Sequence, residues 1–425
     1  MGNSQGLRRG LAGAAGLTIL GATARGQAKK TFKAGLIGCG GRGSGAIRNC
    51  IEAGKVLGVE VKAVALADAY ADRLQRLQRA LKKSGQDVPD SRCFVGFDAY
   101  RKLLDTDVEI VLMATPPNFR PVHFEAAVNA GKHIFIEKPV AVDPPGCRRM
   151  FAAGELASKK GLGVLAGTCL RHNQGYAGMR KLVADGAIGK VYSGNIYYCV
   201  GRLWARRREP GWSDAEYLVR NWLNFCEMSG DHIVEQHVHT IDMLNWVLGE
   251  HPVAAVGFGG RHRRKTGNQF DFFSIDFEYS DRRHFHSACR QISGCWNWGN
   301  GIHVVGARGW ASIRGGVKLW DGTPVKAPDL GFHRNMYVQE HIVLLKSLLA
   351  GKPINDTQAV TEATLTAIMG RISAYTGRRV EWRHLVDPKA KSPFYNLTCR
   401  PTAEDFEKGA VKAPPDGVVP IPGRG

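Results

Sequence analysis

The stretch KAGLIGCGGRGSGAI, Lys33 to Ile47, constrains this chain more than any other. A short apolar run ends at Ile37, and Gly38, Gly40 and Gly43 then follow at the spacing G-x-G-x-x-G. The pattern reads as strand, tight turn, helix. The first glycine permits the turn, the second lets a ligand approach the backbone, and the third lets helix and strand pack closely. A second apolar run, VKAVALAD, ends in an acid, Asp68, at the distance one helix and one strand require. Together these features predict a dinucleotide site. The helix N-terminus would face a pyrophosphate and Asp68 would bind ribose hydroxyls. Asp68 favours NAD over NADP, while Arg42 and Arg73 leave NADP open.

Beyond Asp68 the helical pattern ADRLQRLQRALKK and the runs VEIVLMATPP, KHIFIEKPVA and LGVLAGTCLR continue the alternation of strand and helix. That alternation predicts a doubly wound parallel sheet of Rossmann type over residues 31–172. From Tyr192 the texture changes to alternating, aromatic-rich segments such as FDFFSIDFEYS and RRHFHSACRQI. These predict an α+β domain over residues 173–385, built on a large, mostly antiparallel sheet, with late helices able to pack back on the first domain. Residues 386–425 are rich in Pro and Gly and read as an extended tail. Residues 1–30 carry Arg8-Arg9 before a Gly/Ala-rich apolar run, a pattern that resembles a twin-arginine export signal and is too short to span a membrane stably. Periplasmic or exported location is the expectation, with a cytoplasmic one as the alternative. The net charge of +20 is spread over scattered arginines, with no nucleic-acid-binding spacing, so no nucleic-acid partner is expected. None of the ten Cys forms a CxxC pair.

A second dense stretch is GDHIVEQHVHTID, Gly230 to Asp242. Read as one helix, it places His232, Glu235, His239 and Asp242 on a single polar stripe among apolar residues, so the stripe should face partners or a cavity. Three readings stand: a proton relay, a structural histidine network, and a metal set of His232, Glu235 and His239. Elsewhere, aromatic rings mixed with Arg, Asn and His suit sugar rings. The candidates are Arg171, His172, Tyr176, Trp204, Asn221, Trp222, Arg290, Trp296 and Asn297, with His232 and His237 beside the relay.

The glycine motif, the Asp-ended second strand, the ATPPN segment and AGKHIFIEKP together resemble the glucose-fructose oxidoreductase and inositol dehydrogenase family (Gfo/Idh/MocA), from about Lys33 to about Leu385. The resemblance implies NAD held by Gly38, Gly40, Gly41, Arg42, Gly43, Asp68, Thr115, Pro117, Asn118, Glu137 and Lys138. It also implies Lys138 and His239 flanking the nicotinamide, with Glu235 at a position where the family carries Asp. Oxidation of a sugar, polyol or glycoside hydroxyl follows, redox-neutral if the cofactor is tightly held, in a homo-oligomer. Two alternatives remain at this point: NAD-dependent glycoside cleavage through a keto sugar, and a non-catalytic sugar- or NAD-binding protein.

Overall fold

The computed structural model describes residues 30–422 except 298 and 393, so the Arg8-Arg9 segment lies outside the described residues. Strands β1 (Thr31–Ile37), β2 (Glu60–Asp68), β3 (Cys93–Val95), β4 (Ile110–Met113), β5 (His133–Ile136) and β6 (Val164–Ala166) form a parallel sheet in the order β3-β2-β1-β4-β5-β6. β4 and β6 are buried along their whole length, because helices cover both faces. That is why they read as unbroken apolar runs. The strand order reverses between β1 and β4, which opens a crevice at their carboxyl ends.

Strands β7 (Val191–Val200), β8 (Ala254–Gly260), β9 (Phe272–Glu278), β10 (His284–Gln291), β11 (Gly299–Gly306), β12 (Gly309–Ser312), β13 (Gly316–Leu319), β14 (Pro324–Val325) and β15 (Val380–Glu381) form the second sheet. Its order is β14-β13-β12-β11-β7-β10-β9-β8-β15. β7 and β10 run parallel and the other neighbours antiparallel. In β10, His284 and His286 face out while Phe285 and Ser287 are buried, the alternation of a sheet with one covered face. Both expected architectures are therefore present.

The late helices do pack back on the first domain. Helix Met336–Leu349 buries Val338, Ile342 and Leu345 in one core with Phe32, Leu36 and Ile47. The expected extended tail is corrected. It carries a short helix, Ala403–Glu407, whose Phe406 is buried against Phe97 and Phe119, with ring centroids 5.1 and 4.9 Å apart. Glu407 accepts the Tyr100 hydroxyl at 3.0 Å and pairs with Arg101 at 2.9 Å. One anchoring aromatic in a Pro/Gly-rich segment has no periodicity to reveal it.

Candidate active site

The nucleotide side of the crevice is shaped by backbone. Gly38 has φ +96°, and a Cβ there would lie 2.8 Å from the Ala114 carbonyl carbon. A Cβ on Gly43 would lie 1.8 Å from the Gly38 oxygen. Helix Gly41–Val56 starts between them and points its first amides at a cavity of about 480 Å³. Gly38, Gly40, Gly41, Arg42, Asp68 and Thr115 line it. Asp68 is buried and accepts the amides of Cys39 at 2.7 Å and Tyr70 at 2.9 Å, so it also fixes the turn; burial pushes its carboxyl above the usual range. The glycine cradle, the helix N-terminus with no side-chain cap and the Thr115 hydroxyl, unpartnered among the described residues, fit a dinucleotide.

Two expected cofactor contacts are corrected. Asn118 is buried and its amide donates to the carbonyls of Glu227 and Pro401, both at 2.9 Å, so it ties the tail down. Pro117 is buried while Pro116 lines the cavity. Trp222, expected against substrate, lines the nucleotide cavity with Trp204 and Arg206. The two indoles meet edge to face at 6.1 Å.

At the carboxyl end of β5, the Lys138 ammonium donates to the Glu235 carbonyl at 2.6 Å and to its Oε1 at 3.2 Å. The other Glu235 oxygen accepts the Gln236 amide at 2.7 Å. Glu137, next to Lys138, accepts from Arg42, which also reaches Glu340 at 3.4 Å and stacks on Tyr337. His239 is partly buried, and its ring has no hydrogen-bond partner among the described residues. Burial first, then the charges of Lys138 and Arg42, hold its pKa well below the usual imidazole range. The ring is thus a neutral base beside an ammonium.

The single helix expected through Gly230–Asp242 is two: His232–Glu235 and Val238–Leu248, broken at Gln236 and His237. Asp231 caps the first at φ +73°. The break turns the histidines onto different partners. His232 Nδ1 lies 3.0 Å from Asp231 Oδ1, and its Nε2 3.5 Å from Cys289 Sγ. His237 sits between Ser287 and Thr240, each at 2.7 Å. Both are at most 1% exposed, which removes them from substrate contact. His232, Glu235 and His239 therefore do not converge as a ligand set. Among the described residues no group of His, Cys, Asp and Glu has metal-holding geometry.

Arg171 grips Asp242 through two bonds of 2.8 and 2.7 Å and is corrected from substrate contact to a structural pair. His172 is buried, with burial pushing its pKa down to about 4. Arg290 donates to the Trp296 carbonyl in a loop where Trp296 is 73% exposed, so these two form a surface contact. Tyr176 is buried in the core of the second domain and donates to Asn300 Oδ1 at 3.2 Å. Tyr198, which the sequence reading did not single out, lies within electrostatic reach of Lys138 and Glu235. Its place two residues after Ile196 on β7 was the only local signal.

Two family models match the chain. One, described as an oxidoreductase family with an NAD-binding Rossmann fold, covers residues 32–167; the other, the GFO/IDH/MocA C-terminal domain, covers 176–312. The 2,7-anhydro-N-acetylneuraminate hydratase of Mediterraneibacter gnavus is 26% identical over 228 residues, 52% of this chain and 54% of that protein. The inositol 2-dehydrogenase of Salmonella typhimurium is 29% identical over 221 residues, 52% of this chain and 55% of that protein. The chain thus spans about half the length of the curated relatives it matches. The crystal structure of an aldose-aldose oxidoreductase from Caulobacter crescentus shares the fold, with TM-score 0.64 and 18% identity over 83% of this chain and 100% of that one.

Proposed function

Because the chain belongs to the Gfo/Idh/MocA oxidoreductase family and carries its NAD-binding Rossmann domain, we propose that it oxidises a secondary hydroxyl of a sugar, polyol or glycoside. The observation that carries this reading is the Lys138 ammonium, fixed by Glu235, beside the neutral ring of His239, which has no hydrogen-bond partner among the described residues. A bound nicotinamide supplies the hydride acceptor. Lys138 holds the substrate oxygen and stabilises negative charge as it develops there. His239 accepts the hydroxyl proton, a role worth about 10² to 10⁴ in rate. Glu235 keeps Lys138 aimed. Asp68 supports NAD over NADP, since a carboxylate repels a 2′-phosphate.

The glycoside-cleaving alternative needs a free second base. Glu235 is committed to Lys138 and Gln236, and His237 to Ser287 and Thr240. Export through Arg8-Arg9 is part of the proposal and implies a cofactor loaded before secretion and a redox-neutral cycle. A homo-oligomer formed through the outer face of the second sheet, where Phe258 is 69% exposed, completes it.

The test is to purify the chain without added nucleotide, denature it and identify what is released by mass spectrometry. Stoichiometric NAD supports the captive-cofactor form; an empty protein overturns that form. His239→Ala should slow NAD-linked oxidation by about 10²-fold or more across a sugar and polyol panel while NAD binding persists. Loss of NAD binding in that variant would overturn the relay.

A further inference from the structure

The cavity beside Asp68 is not walled by the first domain alone. Trp204, Arg206, Val219 and Trp222 line it from residues 201–224 of the second domain, and its other lining residues fall within 37–123. This excursion leaves the sheet after β7 and carries neither strand nor helix until Asp214–Arg220. Its open part is nevertheless held in place. Asn221 and Asn224 are at most 1% exposed. Asn221 Oδ1 accepts the Arg206 backbone amide and the Asn224 side-chain amide, both at 2.9 Å, and Asn224 also donates to the Trp204 carbonyl at 3.2 Å. Two buried asparagines thus fix the backbone at the two residues of the open segment that line the cavity.

The same excursion is tied to the first domain next to Asp68. Arg220 donates to both Asp72 oxygens at 3.0 and 2.8 Å and to Glu216 at 2.7 Å, and its guanidinium lies 4.6 Å from the Tyr70 ring centre. Tyr70 and Asp72 stand at the start of helix Ala71–Lys83, just after Asp68. The acid that ends the second strand marks the adenosine ribose in this kind of fold, so the tie crosses the adenosine half of the site. Trp204 meets Trp222 edge to face and has Arg206 6.0 Å from its ring centre, yet 45% of it stays exposed. The Arg206 guanidinium makes no ion pair among the described residues. An aromatic surface backed by an unpaired cation suits a purine and its phosphate. We infer that residues 201–224 form a strap across the adenosine half of the dinucleotide, and that the strap and its Arg220–Asp72 tie set how slowly the cofactor leaves. This rests on the NAD-binding reading above and names the part of the chain that makes the cofactor captive. Trp204 and Arg206 bind the nucleotide, while Arg220 and Asp72 are positioning residues that act through the strap.

The experiment loads the full chain with radiolabelled NAD, chases with excess unlabelled NAD and follows the retained label over time, with thermal unfolding measured on each variant. Trp204→Ala should speed release about tenfold or more, the usual cost of removing an aromatic ring from a stacked base. Arg220→Met and Asp72→Asn should each speed it about two- to fivefold, as expected for a partly exposed ion pair. The Asp72 side chain is 55% exposed, so its variant removes the tie without disturbing packing and keeps the test intact if Arg220→Met is unstable. Adenosine diphosphoribose should displace the label, and nicotinamide mononucleotide should not. Unchanged release in Trp204→Ala and in the tie variants overturns the inference. So does a loss of affinity carried by the association rate alone, or displacement by nicotinamide mononucleotide as effective as by adenosine diphosphoribose. If release quickens as expected while no sugar or polyol yields NADH, the strap stands and the dehydrogenase reading falls. A wild-type chain that binds no NAD overturns both.

Discussion

The two sides of the crevice are built by different means. On the nucleotide side the glycine cradle belongs to the backbone, and its determinants lie within the single stretch from Gly38 to Asp68, while aromatic side chains from farther along the chain line the rest of the cavity. On the substrate side the chemistry belongs to side chains that meet only in space: Lys138 finds Glu235 across 97 positions. A backbone cradle tolerates no added atoms. A side-chain site can exchange its members while the fold persists. Change at the first should break structure and binding together, and change at the second should separate binding from turnover.

The most severe test of that contrast is Gly43→Val. With even a Cβ 1.8 Å from the Gly38 oxygen, the helix must shift, at about 3 kcal/mol or more. Thermal unfolding should move down and NAD titration should show no binding. Next is Lys138→Met, for which kcat should fall by about 10³. NAD affinity should stay within a few-fold by calorimetry; a parallel loss of binding would erase the distinction between the two sides.

His239→Asn should cost about 10² in kcat. The wild-type pH profile sharpens this case. The folded ring has a pKa well below its ordinary value, so it stays a base until the pH falls through that depressed value. The acid limb of kcat/KM should lie well under pH 6.5, and a limb at 6.5 or above would remove His239 as the base. The same depression means that the unfolded chain takes up a proton below about pH 6.5 that the folded ring resists, so this group's contribution to stability declines as the pH drops below that value. The smallest effect on activity belongs to His237→Ala. Leaving Ser287 and Thr240 without their partner should cost about 1 to 3 kcal/mol in denaturant unfolding, with kcat within about twofold of wild type.

What was legible follows the same division. The parallel sheet, its crevice and the glycine cradle follow from residues near one another in the chain. So does the second sheet, whose β9 and β10 alternate between covered and open faces. The run through His232, His237 and His239 misled because a helical period, once assumed, carries through any polar residue. At the break the His237 ring meets Ser287 on β10, a partner that no local pattern announces. Asn118 was misplaced for a similar reason: its carbonyl partners, Glu227 and Pro401, come from segments 109 and 283 positions away. Lys138 was legible only through the EKP resemblance, since an isolated Lys at a strand end is ordinarily a surface residue.

The anchoring of Phe406 also sets an order in time. Phe97, Tyr100 and Phe119 line the nucleotide cavity, and Phe406 and Glu407 support them from behind. Tyr100 and Glu407 are 307 positions apart. At ordinary rates of synthesis the second follows the first by about 15 to 60 s. Through that interval the domain that is translated first has its aromatic wall unsupported, and a nucleotide arriving early meets an unfinished pocket. The part of the molecule that is made first is completed by residues made some 300 positions later.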